Sequence, residues 1–123
     1  MARSFLIRGM LCGLVAGVLV FLFAKYFGEP NVDGAIAVED QIQQAAGDPS
    51  DPVLVSRTLQ ATWGLFTGSI LFSIAMGGIF SLVFAFSWGR LGRLGVRATS
   101  ALVALGGFVT VYLMPFLKYP ANP

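Results

Sequence analysis

The chain has no histidine and only one cysteine, Cys12, among its 123 residues. It therefore cannot form a His/Cys metal cage, an internal disulfide or a catalytic triad that depends on imidazole. Charge is also scarce: Asp, Glu, Lys and Arg together make up 11% of the residues, and the net charge is +2. The cations are dispersed along the sequence and form no basic face of the kind a nucleic-acid partner would require, so none is expected. No phosphate-cradling GxxxxGK[ST] stretch occurs, and no nucleophile lies beside a base, so the chain does not read as an enzyme and no bound cofactor is expected.

What remains is apolar. Hydrophobic residues make up 56% of the chain, and the mean hydropathy is +0.78. Both values lie far from the balance of a soluble domain and point to a membrane protein. Three stretches, at about residues 9–27, 64–86 and 98–117, reach the roughly 20 apolar residues that a bilayer crossing needs. Arg3 and Arg8 before the first of them resemble the start of a signal peptide. The apolar run is long for a signal-peptide core, however, so it is read as a retained span. The expected fold is an all-α membrane protein with three transmembrane helices and a short amphipathic helix in a long outer loop.

The flanking charges orient these spans, because Lys and Arg accumulate on the cytoplasmic side of short loops. Arg3 and Arg8 precede the first span, and Arg90, Arg93 and Arg97 crowd the link at 88–97. All six acids, Glu29, Asp33, Glu39, Asp40, Asp48 and Asp51, fall in the segment 28–62, where Arg57 stands alone against them. The expected arrangement has the amino terminus in the cytoplasm, the acidic segment outside and Lys118-Tyr119-Pro120 at the outer face.

Within the outer segment, Ala35, Val38, Ile42, Ala45 and Ala46 fit one helical face, and Gly47 followed by Pro49 gives a stop signal. Pro30 is expected to end the first span soon after Glu29. Asp51-Pro52 reads as an N-cap with proline in the first turn. A helix starting there would run through Trp63 into the second span and project about 18 Å above the membrane at about 1.5 Å per residue.

Small residues recur every four positions: Gly9, Gly13 and Gly17 in the first span, and Ser69, Ser73, Gly77, Ser81 and Ala85 in the second. Such rows let helix backbones approach closely in lipid, where apolar burial alone does not drive association. The same residues, together with Gly106-Gly107, could instead line an ion path. Cys12, Met10, Met76 and Met114 are soft donors that also serve as ordinary packing residues. The polar candidates for an outer mouth or ion contact are Lys25, Glu29, Asp33 and Lys118. Lys25 and Glu29 are four apart and could pair, Glu29 could meet Lys118, and Asp33 with Glu39 and Asp40 could attract a divalent cation. The alternative reading makes Lys118 and Tyr119 interfacial anchors.

The phrases FGEP, VSR and PFLKYPANP, set among Gly-rich apolar runs, resemble the amino-terminal half of the CbtA family of probable cobalt transporter subunits over nearly the whole chain. The resemblance implies an inner-membrane protein of bacteria that takes up cobalt for cobalamin synthesis, with cobalt as the transported substrate. It also implies a small companion subunit, CbtB, that carries a His-rich metal-binding segment. Members of the family continue past KYPANP into further spans, so Pro123 is expected to mark a turn rather than a natural terminus. The metal ligands are left open, as is the formation of a homo-oligomer. A second functional reading is a membrane scaffold that docks partner helices through the small-residue faces.

Overall fold

Three helices make up the computed structural model, which describes residues 2–47 and 52–119. They are α1 (Ala2–Ala46), α2 (Arg57–Ser87) and α3 (Val96–Lys118), each long and apolar enough to cross a membrane. No strand occurs among the described residues. The expected all-α, three-span fold is therefore present, but the helices are longer than the apolar stretches and differ in how they begin and end.

The first difference lies at Pro30, which does not end the first helix. The backbone widens into a π-turn over Ala24–Gly28, and Pro30 sits just beyond it, in the first turn of the helix that continues to Ala46. A proline lacks an N–H, and its ring collides with the carbonyl four residues back. A π-turn loosens that part of the ladder and lets the helix pass. Pro115 follows a second π-turn, Phe108–Leu113, in the same way. A third, Gln60–Gly64, lies near the start of α2 and has no proline beside it.

The loosened carbonyls find side-chain donors. Asn31 Nδ2 donates to the Phe27 carbonyl at 2.6 Å, Lys25 Nζ to Ala61 at 2.9 Å and Thr110 Oγ1 to Gly106 at 2.8 Å. In an apolar medium a backbone group without a partner is costly, and such local adjustments are what make irregular helix tolerable there.

The second difference concerns the amphipathic stretch. Asp33 to Ala46 is helical, as its periodicity predicts, and Gly47 ends it in the left-handed conformation with φ 70°. It is not separate from the first span, however, but continues α1 as an arm. The third difference is the start of α2. Pro52 and Val53 are irregular, and the helix begins at Arg57 with Ser56 as its cap, whose Oγ accepts the Leu59 N–H at 3.4 Å. The projection before Gly64 is thus shorter than expected. Asp48, Pro49 and Asp51, like Pro120 and Pro123, lie outside the described residues.

α1 and α2 form an antiparallel hairpin with glycine at its seam. A Cβ added to Gly9 would strike the Gly77 carbonyl and Ser81, and one on Gly13 would strike the Ser73 carbonyl. One on Gly17 would come within 3.1 Å of Ile70 Cα and the Ser69 carbonyl, and one on Gly77 within 2.9 Å of Gly13 Cα. Phe5 against Phe84, with ring centroids 5.8 Å apart, and Phe21 edge-on to Phe66 at 5.3 Å close the two ends of this seam. α3 is attached more loosely. It follows a link in which Gly89 and Gly92 adopt φ 79° and 75°, and Thr99, near its start, is its buried residue. Phe108, Tyr112 and Phe116 stack one on the next along it.

Candidate functional site

The α1 contacts continue past the glycines in steps of four. Gly9, Gly13 and Gly17 are followed by Phe21 on Phe66, Lys25 on Ala61, and Glu29 and Asp33 on Arg57. At about 100° per residue, a four-residue row drifts by about 40° at each step on a regular helix. The π-turn holds an extra residue in its turn and swings the later face back toward α2. On α2, Ala61 and Phe66 face α1 five residues apart, the spacing that an i→i+5 turn keeps on one face.

This geometry gathers four charged side chains at the end of the hairpin where α2 begins. Arg57 Nη2 donates to Glu29 Oε2, and Arg57 Nε to Asp33 Oδ1 at 3.0 Å. The Glu29 side chain is 12% exposed, Arg57 33% and Asp33 62%, so the pair with Glu29 is the better shielded. A planar guanidinium suits this task, since its fixed fork can address two carboxylates at once. Lys25, half-buried one turn nearer the glycine seam, takes the Ala61 carbonyl.

Two expected pairings are therefore replaced. Glu29 binds Arg57 rather than Lys25, because the π-turn between Lys25 and Glu29 removes the regular i,i+4 relationship and directs Lys25 to the neighbouring helix. Nor does Glu29 meet Lys118. That residue is exposed at the end of α3, with Nζ 5.1 Å from the Tyr119 ring centroid. Arg57 is the member of the cluster absent from the sequence-based candidates, although it is the one cation in the acidic segment and lies in the VSR phrase. Glu39 and Asp40 sit on the exposed arm of α1.

Chemically, the cluster is balanced rather than vacant. A divalent cation reaching Glu29 and Asp33 would have to take carboxylate oxygens from Arg57. Among the described residues no group of three or more His, Cys, Asp or Glu side chains lies together in a way that could hold a metal ion.

At the other end of the hairpin the three helices enclose an open groove of about 760 Å³. Gly9, Cys12 and Gly13 of α1, Met76 of α2 and Ala104 and Gly107 of α3 contribute to its apolar lining, and Arg8 stands among the lining residues. Ser69 and Ser73 belong to the seam, and Ser81 both flanks Gly9 and donates through Oγ to the Gly78 carbonyl at 2.8 Å. The small-residue rows are thus largely occupied by contact within the chain.

One family model, described as "Probable cobalt transporter subunit (CbtA)", matches residues 2–123. No curated protein and no solved structure matches the chain.

Proposed function

The chain belongs to the CbtA family, and from that premise we propose that it is the membrane subunit of a cobalt uptake transporter that supplies cobalamin synthesis. The family match, which spans nearly the whole chain, is the observation that carries this reading; three helices long enough to cross a membrane support it. In this reading the chain lies in the bacterial inner membrane with its amino terminus in the cytoplasm, following the arginine-rich ends of its spans. It has no catalytic activity of its own and no resident cofactor; cobalt is its cargo. A small His-rich subunit of the CbtB type supplies the imidazole donors that this chain lacks, and a homo-oligomer is one form the assembly can take.

Glu29 and Asp33 are proposed as the first carboxylates to meet the ion, with Arg57 as the counter-cation it displaces. Lys25 positions the hairpin beneath them, and Lys118 anchors α3 at the interface. The scaffold alternative relies on open small-residue faces, and the seam between α1 and α2 uses most of these.

The test is accumulation of radiolabelled cobalt by cobalt-limited cells that express the chain, with and without a His-rich companion and with nickel as competitor. The expected result is uptake that depends on the chain, is weakly blocked by nickel and is reduced by Glu29→Gln at unchanged membrane level. Absence of uptake from verified, membrane-inserted chain together with its companion would reject the transporter reading for this chain. Complex formation that persists without any metal dependence would then favour the scaffold.

A further inference from the structure

All the acids of the chain lie between Glu29 and Asp51, whereas Arg3, Arg8, Arg90, Arg93 and Arg97 lie at the opposite end of the helices. Arg90 is engaged locally: it donates to the Phe86 carbonyl and lies 4.4 Å over the Phe86 ring. Among the described residues, Arg8 and Arg97 make no hydrogen bond or ion pair with another side chain. Arg8 lines the apolar groove between the three helices, one helical turn from Cys12 and two from Ala16, which line it as well. Arg97 falls at helical spacing from Ser100, Ala104 and Phe108, which line the groove from α3. Arg8 thus lines the groove from α1, and Arg97 follows the lining residue Val96 at the start of α3; neither has a carboxylate partner among the described residues. Its volume of about 760 Å³ lies within the roughly 300–1,000 Å³ of small-molecule sites.

We propose that this groove is a binding site for an anionic phospholipid, whose phosphate is held by Arg8 and Arg97 and whose acyl chain lies along Cys12, Gly13, Ala104 and Gly107. Guanidinium groups address phosphate oxygens in pairs, and basic pockets between transmembrane helices are suited to acidic headgroups. The glycines matter here for another reason than at the seam. A Cβ on Gly107 would meet nothing within 4 Å, so the space beside it is open to a hydrocarbon chain.

Trp88 reports on the site, because its ring centroid lies 5.7 Å from that of Phe84, a groove-lining residue. The full chain carrying Trp63→Phe, reconstituted in phosphatidylcholine vesicles, is titrated with dibrominated phosphatidylglycerol and, separately, with dibrominated phosphatidylcholine. The expected result is half-maximal quenching of Trp88 at an about five-fold lower mole fraction of the anionic lipid. Arg8→Gln and Arg97→Gln should each remove most of that preference, and Arg93→Gln should leave it. Gly107→Leu, which fills open space without a clash, should reduce quenching by both lipids. Equal quenching by the two lipids would overturn the proposal. An effect of Arg93→Gln as large as that of Arg8→Gln would also overturn it, since the preference would then be general surface attraction.

Discussion

The two halves of the α1–α2 hairpin hold together by opposite means. From Gly9 to Gly17 the backbones touch, and the partners are carbonyls, Cα atoms and small side chains. From Lys25 to Asp33 charged side chains make the contacts between the helices. The first half depends on what is missing from the side chains and admits no added atom. The second depends on functional groups and can exchange partners. A transporter subunit benefits from both, because a fixed seam lets the other end change its contacts without the helices separating. Substitutions on either side of this contrast should therefore differ in both size and kind of effect.

The largest effect is expected at the seam. Gly13→Leu would drive a side chain into the Ser73 carbonyl of α2, where neither backbone can yield without separating the helices. Overpacking in well-packed cores costs about 1–3 kcal/mol and occasionally more, and this site belongs at the upper end. Gly68→Leu is the matched control, since a Cβ there meets nothing within 4 Å. Thermal midpoints in mild detergent should fall sharply for the first and stay near wild type for the second. Equal midpoints would mean that the seam does not hold the hairpin.

The seam is legible in the sequence because it follows a simple rule: small residues at four-residue spacing on two apolar helices. The polar end is only half legible. Glu29, Asp33 and Lys25 stand out as charges near an apolar boundary, but their partners depend on π-turns that no local pattern announces. Pro30 is a helix breaker by its own chemistry, and only the widened turn before it, which lets α1 continue, makes the same residue compatible with a 45-residue helix. Once α1 is continuous, the four-residue row that begins at Gly9 extends to Asp33, and Arg57 becomes the residue opposite its end. The start of α2 departs from expectation for a related reason. Pro52 suits a first helical turn, yet Ser56 offers the cap that forms, one residue before Arg57.

A middle effect is expected from Arg57→Gln. It leaves the largely shielded Glu29 carboxylate without its cation, and an under-partnered buried polar group costs about 1–3 kcal/mol. The value here should lie toward the lower end, because Arg57 itself is one-third exposed and water screens what remains. A double-mutant cycle with Glu29→Gln should return a coupling of about 1 kcal/mol. If the two single losses simply add, the ion pair does not hold the charged end, and Lys25 on Ala61 would be its principal bridge.

The smallest effect should come from Asp33→Asn, and it distinguishes holding from receiving. Asp33 shares the Arg57 guanidinium with Glu29, but its side chain is 62% exposed. Exposed pairs contribute about 0.2–1 kcal/mol, so the thermal midpoint should scarcely move. Its charge matters in another way. Removing it leaves Arg57 committed to Glu29 alone and removes one of two carboxylates proposed to meet the ion. If the charged end exchanges Arg57 for a cation, Asp33→Asn should lower cobalt accumulation clearly at unchanged stability and membrane level. If the cluster serves only to fasten α1 to α2, accumulation should follow stability and stay near wild type. The same substitution therefore separates a latch that opens for an ion from a bridge that stays closed, because its structural cost is too small to explain a loss of transport.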